Sequence, residues 1–171
     1  MKIDILKSWE FIGALSLVHW LIIIGIATLS WLLYIWRYLR LQFRFAKNLK
    51  RKVYFLKTIN NGSLQTEKDL IKKIKLFNVE NDIKDISEDL KVLQNLKSNA
   101  VYIVGYNPEY LLYDKLLSEA KNKNIPIIIF ARQGEIKKPE HWISFNGYIC
   151  CDVANTSNRL LIILTNILMI V

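Results

Sequence analysis

The chain has 171 residues, of which 52% are hydrophobic, and its formal net charge at pH 7 is +9. Seven of the positive charges lie between residues 37 and 52, so the rest of the chain is only mildly basic and does not favour a nucleic-acid-binding protein. The two cysteines, Cys150 and Cys151, are neighbours, which argues against a structural disulfide between them. No metal-ligand spacing surrounds His19 or His141, and no resident metal or cofactor is expected.

The N-terminal region, residues 1–36, contains the longest apolar segment. Residues 11–36 carry no formal charge, and about 20 apolar residues in a helix cross a bilayer core. The segment therefore predicts a single transmembrane helix. A cleaved signal peptide is the alternative, but its apolar region is shorter and ends at small residues, whereas this segment ends with Tyr34, Ile35 and Trp36.

A basic region, residues 37–52, follows and contains no acidic residue. Because Lys and Arg are enriched in cytoplasmic flanks, we expect a single-pass protein of the cell inner membrane with its C-terminal domain in the cytoplasm. The spacing predicts a juxtamembrane helix whose basic face contacts anionic lipid headgroups. Its role is either to determine topology or to transmit movement from the domain to the span. The residues predicted at the membrane surface are Arg37, Arg40, Arg44, Lys47 and Arg51.

Residues 53–171 form the predicted α/β domain. Short, nearly continuous apolar runs are typical of strands buried on both faces, and helical patterns separate them. This alternation predicts a doubly wound parallel sheet with the flavodoxin-like strand order 2-1-3-4-5. The predicted strands are residues 52–56, 79–86, 100–106, 125–131 and 147–153, and the helix starts are Thr66, Ser87, Pro108, and Thr156 or Ser157.

The last predicted helix, residues 158–171, is apolar nearly all round but too short to span a bilayer. We expect it to pack against the sheet, a second subunit or the membrane. The preceding segment, residues 132–144, is predicted to be a polar loop over the sheet edge. Its Glu135, Glu140 and His141 offer acid–base groups, although surface positions account for them more simply.

A ligand site is expected beyond the carboxyl ends of the strands, where the loops after the first and third strands lie side by side. These loops carry polar groups, rings and glycines that suit a nucleotide-like ligand. Each residue is also explained by the needs of tight turns or, for the residue before the last helix, of helix capping. The predicted ligand-binding residues are Thr58, Asn60, Gly105, Tyr106, Asn107, Glu109, Tyr110 and Asn155.

The segment from Asn107-Pro108-Glu109-Tyr110, through Glu119-Ala120, to Ile125-Pro126-Ile127 resembles the middle of a Toll/interleukin-receptor (TIR) domain. It is also similar in layout to nucleoside deoxyribosyltransferases. In enzymatic TIR domains a helix glutamate serves NAD cleavage, and Glu119 stands at the matching position. Lys115 and Leu116 replace the family's Trp-Cys pair.

Three functions follow as hypotheses. The first is a membrane-anchored sensor of the bacterial anti-phage type, which binds NAD, a cyclic nucleotide or a related small signal, forms a homo-oligomer and perturbs the membrane. The second is an anchored NAD or nucleoside N-glycosidase that uses Glu119. The third is a structural membrane protein that recruits partners through its basic stripe and last helix.

Overall fold

The computed structural model describes residues 16–58, 64–86 and 90–170, in two compact units that divide between Arg44 and Phe45. The first helix, α1 (Leu17–Leu49), is the one helix among these residues that is long and apolar enough to cross a membrane. Its apolar side chains from Leu17 to Trp36 are exposed, except that of Ile35, which is partly buried. The prediction of an N-terminal helix with the length and composition of a membrane span is therefore confirmed.

Two polar side chains of α1, Thr28 and His19, have hydrogen-bond partners close by in the chain. The Thr28 hydroxyl lies 2.9 Å from the carbonyl oxygens of both Ile24 and Gly25, and donates to them. The Ser16 hydroxyl and His19 Nδ1 are 2.6 Å apart. Because hydrocarbon offers no hydrogen-bonding partner, such local bonds reduce the cost of polar groups in a span.

The basic residues after the apolar segment divide between two structural settings. Arg37, Arg40, Arg44 and Lys47 are exposed on α1, whereas Arg51 lies beyond the end of the helix and is partly buried. The prediction that Arg51 continues the helical stripe is therefore wrong. The helix ends at Leu49, which packs against the core of the second unit, and β1 begins three residues later at Lys52.

The second unit contains a five-stranded, all-parallel sheet in the order β2-β1-β3-β4-β5. The predicted α/β class and strand order are confirmed. The strands are β1 (Lys52–Lys57), β2 (Asn78–Asp85), β3 (Ala100–Gly105), β4 (Ile127–Phe130) and β5 (Cys151–Ala154). The helices of this unit are α2 (Leu64–Lys73), α3 (Leu90–Gln94), α4 (Tyr113–Asn122), α5 (Pro139–Asn146) and α6 (Ser157–Ile170).

Alternate residues of each central strand face opposite sides of the sheet, which produces two hydrophobic cores. One core contains Tyr102 and Val104 of β3, and packs against α4 and α5. The other contains Val101 and Ile103 of β3, and packs against α2 and α6. Helices therefore cover both faces, as a doubly wound fold requires.

Helix α6 resolves the placement of the apolar C-terminal segment. Leu160, Ile163, Leu164 and Leu168 are buried in the second core. The Thr156 hydroxyl accepts a hydrogen bond of 3.2 Å from the backbone N–H of Arg159, which confirms the predicted N-cap. Packing against the sheet, one of the three predicted alternatives, is thus the arrangement within this chain.

Four predicted boundaries are wrong. Residues 139–146 form α5 and not a loop, because Pro139 occupies the first helical turn and Phe145 is buried. The last strand begins at Cys151, because Gly147 caps α5 and residues 149–150 form a turn. Helix α4 begins at Tyr113, so Pro108 lies in the preceding turns, and α2 begins at Leu64, so Thr66 lies inside it. Ser87 lies outside the described residues.

Candidate functional site

The carboxyl ends of β1 and β3 lie next to each other, as the strand order requires. Thr58, the residue after β1, is fully buried, and its hydroxyl donates a 2.8 Å hydrogen bond to the carbonyl oxygen of Gly105. The structure therefore brings these two predicted site residues together. In this arrangement the Thr58 hydroxyl joins the strand ends to each other.

Three tyrosines fill the space beyond these strand ends. Tyr106, Tyr110 and Tyr113 are each at most 4% exposed. The Tyr106 and Tyr113 rings stack with their centroids 5.8 Å apart, and Tyr110 meets Tyr113 edge-on at 5.0 Å. Burial, assisted by the charge of Asp85, raises the pKa of Tyr110 to about 12. All three phenols are therefore neutral packing groups at physiological pH.

Helix α5 joins this tyrosine cluster through His141. The Tyr106 hydroxyl and His141 Nδ1 form a hydrogen bond of 2.9 Å, and the two rings meet edge-on at 5.7 Å. Burial lowers the pKa of His141, and the nearby Lys138 lowers it further. A neutral imidazole therefore holds α5 against the end of β3.

The remaining residues of the predicted crevice lie at its rim. The Asn107 side-chain oxygen accepts a 2.9 Å hydrogen bond from the backbone N–H of Glu109, and the Asn107 backbone N–H donates to the Tyr113 hydroxyl at 2.8 Å. The Glu109 side chain is exposed. Asn60 lies outside the described residues. The described part of the predicted crevice is thus largely occupied by its own side chains.

Glu119 stands apart from these residues. It lies on α4 six positions after Tyr113, which corresponds to about 9 Å along the helix axis, and α4 leads away from the carboxyl ends of the strands. Its side chain is partly exposed, and among the described residues no hydrogen bond or ion pair involves it. The structure does not bring Glu119 together with Tyr106 and Asn107.

A cavity of about 410 Å³ lies instead beyond the carboxyl ends of β4 and β5. Its walls come from the loop after β4, from α5, from β5 and from the start of α6. Of the predicted ligand-binding residues, Asn155 lines this cavity. The lining residues are Ala131, Arg132, Gln133, Gly134, Ile136, Trp142, Phe145, Asn146, Cys151, Asp152, Val153, Asn155 and Arg159.

The loop after β4 is shaped by a tight turn. The backbone N–H of Glu135 donates to the carbonyl oxygen of Arg132 at 3.0 Å, and Gly134 between them has a φ of +79°. A turn with a positive φ at its third residue requires glycine. The Glu135 carboxylate also accepts a 2.6 Å hydrogen bond from the Arg132 backbone N–H. These bonds hold the backbone and leave the Arg132 side chain in the cavity wall.

The ionisable groups of the cavity lining are one thiol, two guanidinium groups and one carboxylate. Burial raises the pKa of the Cys151 thiol to about 12, so it is protonated at neutral pH and is a poor nucleophile. Within the described parts of the chain, no group of three or more His, Cys, Asp or Glu side chains is placed to hold a metal ion. The charged side chains of the lining are Arg132, Arg159 and Asp152.

The sequence prediction centred the site on the loops after β1 and β3, whereas this cavity lies at the other end of the carboxyl edge; Arg132, Trp142 and Arg159 were not among the predicted ligand-binding residues. The switch-point rule directed attention to the loops after β1 and β3. The signal for the cavity was present in the chain, because Arg132 follows a buried strand directly and Asn155 follows another.

The fold and the cavity together define a flavodoxin-like α/β domain in a chain whose N-terminal helix is suited to cross a membrane. No protein-family model matches this chain, and no curated protein matches it.

Proposed function

We propose that this protein is a single-pass sensor and effector of the cell inner membrane, whose cytoplasmic α/β domain binds a small nucleotide-type signal, oligomerises and perturbs the bilayer. The cavity beyond β4 and β5 carries this proposal. It combines two guanidinium groups with aromatic and amide side chains, which is the mixture that small polar ligands with rings require.

The membrane side of the proposal rests on α1 and on its basic end. The helix has the length and composition of a span, and Arg37, Arg40 and Arg44 follow its apolar part. Such residues favour the cytoplasmic face and attract anionic lipid headgroups. The α/β domain follows them in the chain and lies on that side.

The oligomeric output follows from the number of spans. One helix cannot enclose a path for ions, because its own backbone and side chains fill the space around its axis. Several copies are needed to line a pore or to disturb lipid packing. Small and hydroxyl side chains in α1, including Gly25, Ala27 and Thr28, allow identical helices to approach closely.

The test is dye release from vesicles of phosphatidylethanolamine and phosphatidylglycerol that contain the full-length protein with its domain outside. AMP, cyclic AMP, ATP and NAD are added separately. We expect one of them to release the dye, with a rate that rises more steeply than linearly with protein density. The double variant Arg132→Ala/Arg159→Ala should release little dye, whereas Lys137→Ala, which removes a charge from the same loop but outside the cavity, should behave like the wild type.

Two results would contradict the proposal. Dye release that is equal with and without every nucleotide would remove the sensor function. A domain that is degraded by protease added outside intact spheroplasts, with no lysis, would place it on the other side of the inner membrane.

A further inference from the structure

Positively charged side chains from two different elements line the cavity beyond β4 and β5. Arg132 comes from the loop after β4, and Arg159 comes from the first turn of α6. Within the described residues neither guanidinium group has a hydrogen-bond or ion-pair partner. A guanidinium group presents a planar set of N–H donors that matches the oxygen atoms of a phosphate. The two side chains therefore favour a ligand with a phosphate group.

The start of α6 adds to the positive potential at this end of the cavity. β5 ends at Ala154, Asn155 and Thr156 form the connection, and α6 begins at Ser157. The N–H groups of a helix's first turn and its dipole favour an anion at that position. This arrangement supports the same ligand group as the two arginines and brings it next to β5.

The rest of the lining does not suit a bare inorganic anion. Trp142, Ile136 and Phe145 contribute apolar surface, and Asp152 contributes a negative charge. One Asp152 oxygen, Oδ1, accepts a 2.7 Å hydrogen bond from the backbone N–H of Val153. No hydrogen bond from the described residues reaches its other oxygen, Oδ2, which is therefore an acceptor available to a ligand hydroxyl.

Together these groups divide the ligand into three chemical parts. An anionic part fits the two guanidinium groups, a hydroxyl-bearing part fits the Asp152 carboxylate, and a flat apolar ring fits the Trp142 indole. Amide side chains supply donors and acceptors for the edge of that ring, and these are Gln133, Asn146 and Asn155. A nucleotide contains all three parts in one molecule.

The size of the cavity limits how many nucleotide units it holds. Its volume of about 410 Å³ lies at the lower end of the range of roughly 300–1,000 Å³ for small-molecule sites. We infer that the cavity is a nucleoside monophosphate site, with the phosphate at Arg132 and Arg159, the ribose at Asp152 and the base against Trp142. This inference rests on the proposed sensor function and narrows its ligand to a mononucleotide.

The experiment is isothermal titration of the full-length protein in detergent micelles with AMP, cyclic AMP, adenosine, inorganic phosphate and NAD. We expect AMP or cyclic AMP to bind, with adenosine and inorganic phosphate each at least tenfold weaker. Whichever of the two mononucleotides binds more tightly shows whether the phosphate is terminal or cyclic. NAD, which has two nucleotide units, should bind more weakly than both.

Single-residue variants test which side chain binds each part of the ligand. Arg132→Ala and Arg159→Ala should each lower the affinity for the mononucleotide by about 10- to 100-fold, the usual effect of losing a charge-assisted hydrogen bond. Trp142→Ala should lower it by roughly 5- to 100-fold through the loss of ring stacking. The matched controls are Lys137→Ala in the same loop and Ile143→Ala on the same helix, which lie outside the lining and should change the affinity less than twofold.

The arginine variants are expected to fold, because both side chains are exposed and the hydrogen bonds at these positions come from backbone N–H groups. The inference is overturned if inorganic phosphate or adenosine binds as tightly as the mononucleotides, if NAD binds more tightly, or if neither mononucleotide binds. Tight NAD binding with dye release would overturn the mononucleotide site and leave the sensor function standing. Mononucleotide binding without dye release would support the mononucleotide site and overturn the sensor function.

Discussion

The hydrogen bond between Tyr106 and His141 joins the end of β3 to α5, the helix that forms one wall of the cavity. The variant Tyr106→Phe removes the hydroxyl and keeps the ring. The stacking on Tyr113 and the edge contact with Phe145 are therefore retained. A change in stability then measures the interactions of the hydroxyl, and a double-mutant cycle with His141 isolates the bond between these two side chains.

A partly buried hydrogen bond between neutral groups contributes about 0.5–1.5 kcal/mol. We expect Tyr106→Phe to lower the free energy of unfolding by about 1 kcal/mol at pH 8. The assay is urea unfolding of the full-length protein in detergent micelles, followed by near-ultraviolet circular dichroism of the packed aromatic residues. Because the hydroxyl's partner is His141, the variant His141→Phe should remove the same interaction.

A double-mutant cycle tests whether the two effects are one interaction. Tyr106→Phe and His141→Phe together should cost less than the sum of the two single variants, with a coupling of about 1 kcal/mol. The matched control is Tyr110→Phe, whose hydroxyl donates to the Ile86 carbonyl at 3.2 Å. Its effect should add to that of His141→Phe. Additivity in the Tyr106 cycle would refute the reasoning.

The same histidine predicts the direction of pH dependence. Burial and Lys138 lower the folded-state pKa of His141, while Glu140 and Asp114 act in the opposite direction. Below an ordinary histidine pKa of about 6.5, the unfolded chain binds a proton that the folded domain binds less readily. The contribution of His141 is therefore present above pH 6.5 and is lost as the pH falls below it. His141→Phe should lose less stability than the wild type between pH 7 and pH 5.5, and an equal loss would contradict this.

Three further variants test separate features. Gly134→Ala meets no steric obstacle but must adopt a φ of +79°, so urea unfolding should show a loss of about 1–2 kcal/mol, and an unchanged free energy of unfolding would contradict the strain. Tyr148→Phe removes a hydroxyl that donates to the carbonyls of Ala120 and Ile125 at 3.1 and 2.8 Å. Urea unfolding should show that the free energy of unfolding falls by about 1–3 kcal/mol. A fall of less than about 0.5 kcal/mol would contradict a stabilising role for these hydrogen bonds. Glu119→Gln should leave NAD turnover by the full-length protein unchanged from its wild-type level, and turnover that disappears in this variant would establish the N-glycosidase alternative.

The site was harder to predict than the fold because its position depends on how the crevice is filled. Strand order placed Thr58 and Gly105 together correctly, and Tyr106 and Tyr110 were correctly assigned to the same edge. The burial of Tyr106 and Tyr110 was not predictable, since it depends on packing against the ring of Tyr113 in α4. The role of His141 was also hidden, because its partner Tyr106 is 35 residues away in the chain.

Local sequence patterns were enough to predict the α/β class, the strand order and an N-terminal helix with the length and composition of a membrane span, because these follow from the length and periodicity of apolar residues in each segment. The position of the cavity beyond β4 and β5 depends instead on tertiary packing. Arg132 and Arg159 are separated along the chain and have no local pattern in common, and they line one cavity because β4 and β5 are neighbouring parallel strands. The carboxyl ends of β4 and β5 become neighbours only when the strands pair in the folded sheet.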